Sequence, residues 1–156
     1  IKTLKAVVAV EEPISTQFLM KRTLAVYGIS KYGVKLESKL RSLIDKCAFE
    51  SCTMLGTVYY FKTDKYSGFD RYRVEEGAAS QRTADTDFTP FDVISLVKSI
   101  LLNKVSVYAD ELIPAVLKEL KARASDKLTS FVSACIDEGV RRGIFIRSVS
   151  DKISLS

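Results

Sequence analysis

The sequence predicts an α+β chain, mostly helical, in which one small unit occurs twice. Three observations carry that prediction. Apolar residues recur at intervals of three and four along six stretches, the pattern of amphipathic helices. Each half closes on a stretch of alternating, β-branched or aromatic character, "SCTMLGTVYYFK" at 51–62 and "IFIRSVSDKISL" at 144–155. The apolar positions of the first half also return in the second. Ile14, Leu19 and Leu24 match Val107, Leu112 and Leu117 at an offset of 93; after a one-residue gap, Leu36, Leu40, Leu43 and Ile44 match Leu128, Val132, Cys135 and Ile136 at 92. Chance aligns a few apolar residues in any two helices, but it rarely aligns their order, their breaks and their trailing strands as well.

Taken in order, Leu4, Val7 and Val8 begin a first helix. "EEPIS" interrupts it, because Pro13 disfavours helical backbone in the residue before it. Ser15 is placed as the N-cap of a second helix, with Ile14 and Leu19 as the two members of a hydrophobic staple. That helix runs to about Val26 and stops at Gly28, a natural C-cap residue. A third helix starts near Gly33 with the stripe Leu36, Leu40, Leu43, Ile44 and Cys47, and a short hairpin around Gly56 follows. Residues 63–89 show no sustained period and read as a linker or long loop, with room for one strand at "RYRV".

The second half opens with Thr89 as N-cap, Pro90 at the first helical position and Asp92 closing a capping box. The stripe Val93, Leu96, Val97, Ile100 and Leu101 follows, and "NKVSV" interrupts it. A helix from about Tyr108 carries Leu112, Ile113, Val116, Leu117 and Leu120. Ser125 caps a last helix bearing Leu128, Val132, Cys135, Ile136 and Val140, which Gly143 stops. The expected domains are therefore 1–62 and 90–156, joined by 63–89. Three helices and a hairpin is the layout of a winged helix, in which the third helix enters the major groove of DNA. Many winged helices bind protein instead, so the fold leaves function open.

Composition narrows the function. The chain has 156 residues, 47 % apolar and 28 % charged, which is ordinary for a soluble globular protein. No apolar run approaches the roughly 20 residues that span a bilayer, and no signal peptide opens the chain. It begins at Ile1 rather than Met, so a piece of a longer protein is expected. Cys47, Cys52 and Cys135 are an odd count without paired spacing, which is no disulfide framework. Cys47 and Cys135 fall on apolar stripes and read as buried thiols in a reducing, cytoplasmic setting. There is no His. That removes the usual zinc ligands, the usual general base and every Ser-His-Asp or Cys-His arrangement. No GxGxxG or GxxxxGK[ST] loop is present. "ESK" at 37–39 and "ELK" at 119–121 have the acid-x-Lys spacing of a nuclease motif. That chemistry needs both residues on one face of a strand, whereas on a helix they point about 200° apart. Neither a catalytic residue, nor a metal, cofactor or small-molecule substrate, is expected.

Net charge is +5 and unevenly spread. Residues 1–62 carry 10 Lys and Arg against 5 Asp and Glu, residues 63–89 carry 4 against 6, and residues 90–156 carry 10 against 8. The basic part is the first. Within it, Lys31, Lys35 and Lys39 recur every fourth residue, and Lys46 lies seven further on. Residues four apart share a helix face. An aligned, exposed cation row is what phosphate binding wants, since each contact contributes little until several add. Lys31, Lys35, Lys39, Arg41 and Lys46 are therefore the candidate nucleic-acid-binding residues, with Ser38, Ser42 and Tyr32 placed to add hydrogen bonds or stacking. The competing reading is the solvated face of an ordinary helix. Tyr59, Tyr60 and Phe61 are expected to pack on the helices rather than to stack bases. Arg71 and Arg73 read as linker charge, and Arg141 and Arg142 as cations suited to a helix C-terminus.

Residues 8–73 also carry a family resemblance. "VAVEEPIS", "KRTLAVYGISKYG", "GTVYYF" and a later "YR" resemble an uncharacterised accessory domain at the C-terminal end of large bacterial superfamily 1 DNA helicases. The matching positions are Glu12, Pro13 and Ile14; Lys21 and Arg22; Tyr27, Gly28, Ile29, Lys31 and Gly33; and the pair Tyr59 and Tyr60. "ELIPAVLKEL" and the last helix extend the likeness more loosely. The family often has Trp at its aromatic sites, and this chain has no Trp. The resemblance implies a helicase accessory module without motor or catalytic residues. Its partners would be DNA and the remainder of the parent helicase chain; the alternative is a protein-interaction module docking on that motor or on another subunit.

Overall fold

Six helices and six short strands make up the described residues, 1–62 and 88–156, of the computed structural model. The chain divides into two compact units, Ile1–Ser67 and Gly68–Ser156. The expected linker lies outside the described residues except for Phe88 and Thr89, and so do "RYRV", Arg71 and Arg73.

Unit 1 runs α1 (Lys2–Glu11), β1 (Ile14–Ser15), α2 (Thr16–Val26), α3 (Val34–Cys47), β2 (Glu50–Met54) and β3 (Thr57–Phe61). Unit 2 repeats the order as α4 (Pro90–Leu101), β4 (Val107–Tyr108), α5 (Ala109–Glu119), α6 (Asp126–Arg141), β5 (Phe145–Arg147) and β6 (Lys152–Leu155). Each unit holds one antiparallel sheet, in the order β1-β3-β2 and β4-β6-β5. The extended step after each first helix is thus a true third strand. Ile14 pairs with Tyr60, and Val107 with Ile153, both displaced by 93 residues.

Local chemistry sets the boundaries. Ser15 Oγ accepts from Phe18 N at 3.2 Å, and Ser125 Oγ from Leu128 N at 3.2 Å. Thr89 Oγ1 accepts from Asp92 N at 3.1 Å and donates to the Asp92 carboxylate at 2.7 Å, closing the expected capping box. Helix α2 ends in a Schellman motif: Gly28 N donates to Ala25 O and Ile29 N to Leu24 O, with Gly28 at φ 73°. The same bonds end α5, where Lys121 N donates to Lys118 O and Ala122 N to Leu117 O. There the left-handed position holds Lys121, a side-chain-bearing residue, at φ 54°.

Each unit has its own core. In unit 1, Leu4 and Val8 of α1, Ile14, Phe18, Leu19, Met20 and Leu24 pack with Leu40 and Ile44 of α3. In unit 2, Val97, Leu101, Val107, Leu112, Leu117, Leu128, Val132, Cys135 and Ile136 take the matching places, with Phe145 and Ile153 from the sheet. Fully burying one such side chain contributes about 1.5–3 kcal/mol, so the matched stripes account for most of the drive to fold. Cys135 is buried, while Cys47 and Cys52 are half-buried, and none of the three sulfurs is in a disulfide. Among the described residues, no helix is long and apolar enough to cross a membrane.

The aromatic run differs from expectation. Adjacent residues of a strand face opposite ways. Tyr60 packs against the unit 1 core, tilted against Phe49 with ring centroids 5.9 Å apart. Tyr59 and Phe61 are buried on the opposite sheet face, which they share with Met54.

Candidate nucleic-acid interface

Helix α3 is positioned by its apolar stripe. Leu40 and Ile44 are buried, with Leu36, Leu43 and Cys47 packed against the same core. That fixes which side faces outward. At about 100° per residue, Lys35, Lys39 and Lys46 fall within a stripe about 40° wide, with Ser42 on its edge. All three lysines, Ser38 and Ser42 are exposed. The row from Lys35 to Lys46 runs about 16 Å along the axis. Lys31 lies in the connection between α2 and α3, three residues before the helix, and is exposed there. Among the described residues no ion pair engages Lys31, Lys35, Lys39 or Lys46.

Arg41 does not join this row. It lies about 120–160° round the helix from the lysines, in a second row with Glu37 and Asp45. Its guanidinium reaches Glu37 Oε1 from Nη2 at 2.9 Å and from Nε at 3.2 Å. Helix α3 thus carries two parallel surface rows, one of ammonium groups without an ion pair among the described residues and one of mixed sign. Tyr32 is not a stacking platform either, since it packs against the core. Burial raises its hydroxyl pKa, the nearby Glu37 carboxylate adds to that, and Arg41 opposes it.

The hairpin beside α3 turns on Leu55 and Gly56, both with positive φ, as a two-residue loop requires. From Glu50 to Phe61 it carries no Lys or Arg, so the hairpin adds no cation to the lysine row of α3.

The same face in unit 2 has other chemistry. At the offset of 92, Lys35, Lys39, Ser42 and Lys46 become Lys127, Phe131, Ala134 and Glu138. Phe131 packs on the unit 2 core. Glu138 is buried and accepts from Arg141 Nη2 and from Arg142 Nε, the latter at 2.8 Å. The hydrogen bond from Arg141 leads in pulling its carboxyl pKa down to about 2; burial opposes this, and Arg142 and both positive charges reinforce it. Beyond it, Arg147 bridges Asp137 at 2.5 Å and Asp151 at 2.6 Å. The cations at this end of α6 are spent on neighbouring carboxylates.

Most positions behind the family resemblance hold the scaffold together. Glu12 Oε2 accepts from Lys62 N at 2.6 Å, tying the end of α1 to the end of β3. Glu11 pairs with Arg22 at 3.1 Å, and Lys21 and Arg22 lie over the Phe18 ring at 5.7 and 5.1 Å. The Tyr27 hydroxyl bonds with Thr3 Oγ1 at 2.8 Å, and Gly33 is the N-cap of α3. "ESK" lies within α3 and "ELK" runs off the end of α5, so neither forms a strand pair.

A surface feature missed in the sequence is an open groove of about 690 Å³ between α1 and α2. Ala6, Val7, Val10, Ala25 and Val26 line it, with Val10 81 % and Val26 65 % exposed. Its only sequence signal was one valine off the apolar stripe of each helix, Val10 and Val26. No family model, curated protein or solved structure matches the chain.

Proposed function

We propose that this chain is a non-catalytic, cytoplasmic accessory module of a DNA helicase-related protein, built from two tandem winged helices. Its first unit contacts nucleic acid through Lys31, Lys35, Lys39 and Lys46. The helix–strand–helix–helix–strand–strand order of each unit supports the winged-helix reading. The observation that carries the binding reading is the row of exposed lysines along α3, without acidic partners among the described residues. Such a row lowers the free energy of a polyanion mainly by releasing its counterions, so binding weakens as salt rises. Arg41, tied to Glu37, contributes less.

Reversing two charges tests this. Lys35→Glu with Lys39→Glu changes only exposed groups, so folding persists while binding to every nucleic acid falls at least tenfold. Unchanged affinity in a fluorescence-anisotropy titration would remove the assignment.

The α1–α2 groove favours a second reading, a protein-interaction module. Apolar side chains as exposed as Val10 and Val26, lining one groove, are a feature of docking surfaces. Replacing both by Ser would abolish capture of the parent motor on this reading and leave nucleic-acid binding intact.

A further inference from the structure

The lysine row does more than attract a polyanion; its geometry and its surroundings select among polyanions. We infer that its partner is double-stranded DNA of any sequence, held by its phosphates. This rests on the nucleic-acid reading above and narrows it.

The row is straight and rigid. Its three helical lysines stand on one face of a helix whose opposite side is fixed in the core. Lys35 and Lys39 are about 6 Å apart along the axis, and Lys46 is about 10 Å further. A rigid line of that length suits a polymer whose phosphates are themselves held in fixed lines. The major groove of B-form DNA is about 12 Å wide and admits a helix, with phosphates on both rims. The major groove of an RNA duplex is deep and narrow and does not.

Single strands are bound differently. Proteins that hold them supply aromatic rings on which bases stack. Among the described residues near this row, Tyr32 and Tyr60 pack on the core and Tyr59 and Phe61 are buried. Tyr27, 64 % exposed with its hydroxyl on Thr3, is a single open ring rather than a run of rings for successive bases.

Sequence is not read either. Base edges are recognised most specifically by bidentate contacts, from Arg or Lys to guanine and from Asn or Gln to adenine. Helix α3 has no Asn or Gln, and its one Arg is turned away from the row and bound to Glu37. Lysine's ammonium is a flexible point charge without Arg's fork, and serine hydroxyls discriminate bases poorly, so the row suits phosphate contacts, which carry no sequence information. Unit 2 adds no second foothold of this kind, because Phe131 and Glu138 stand where Lys39 and Lys46 would.

The test is an anisotropy titration of the whole chain with four labelled probes of equal length: two DNA duplexes of unrelated sequence, one of their single strands, and the matching RNA duplex. The two DNA duplexes should bind within about twofold of each other and at least tenfold tighter than the single strand or the RNA duplex. The logarithmic salt slope should be about −3 to −4, one phosphate for each lysine. A single strand or RNA duplex that binds as tightly, or DNA duplexes differing tenfold, would overturn the inference and leave the nucleic-acid reading standing. Absence of binding by all four probes at low salt would overturn that reading, and the inference with it.

Discussion

Replacing Glu138 by Gln isolates the carboxylate that anchors the end of α6. Gln keeps the shape and one acceptor oxygen but loses the charge that Arg141 and Arg142 share. The carboxylate is 9 % exposed, while the arginine side chains are 69 % and 38 % exposed. Water therefore screens much of the attraction, and the loss at neutral pH should be about 1–2 kcal/mol. The pH dependence follows from the folded pKa of about 2. An unfolded Glu titrates near about 4.3. Between those values the unfolded chain holds a proton that the folded chain lacks, so stability rises with pH across that window. The contribution is complete above about pH 5 and is lost as pH falls through about 2. Urea unfolding of both proteins, followed by NMR amide signals of α6, reports unit 2 apart from unit 1. The difference should be about 1–2 kcal/mol at pH 7 and under about 0.5 kcal/mol at pH 2. A difference equal at both pH values, or a Glu138 carboxyl that titrates near its ordinary value, would refute the reasoning.

Three further substitutions probe the scaffold. A Cβ at Gly139 would run into the buried Phe145 ring, so Gly139→Ala should destabilise unit 2 by about 1–3 kcal/mol in thermal unfolding, despite alanine's better helix propensity. Thr23 is buried, and its hydroxyl has no hydrogen-bond partner among the described residues. Val116 fills the equivalent place in unit 2, so Thr23→Val should stabilise unit 1 by about 1 kcal/mol in urea melts. Lys121→Gly relieves a left-handed residue at a position where unit 1 has Gly28, and should raise unit 2 stability by about 0.5–1 kcal/mol by the same measurement.

Much of the fold was legible in the sequence because its signals are local. Hydroxyl caps at Ser15, Thr89 and Ser125 need only the amide three residues on. Helix stops at Gly28 and Gly143 need only a residue at ease with positive φ. The stripes named beforehand became the two cores because helical spacing alone puts those side chains on one side. The offset of 93 likewise anticipated that both units would run through the same elements in the same order.

What the sequence left undecided depends on partners distant along the chain. Two residues of extended character, Ile14 and Ser15, became a strand only because Tyr60 and Tyr59 arrive beside them. Alternation along β3 said that its aromatics face two ways, but only folding decided that Tyr60 meets the helices while Tyr59 and Phe61 are buried on the other face. Charge count alone could not separate Arg41 from the lysines. The helix turn that brings Glu37 beneath it did so, because an ion pair is a matter of which atoms meet. For the same reason Glu138, one acid among many in the sequence, became the anchor of two arginines. Composition located the positive charge in the first unit; tertiary structure decided which of those cations remain unspent.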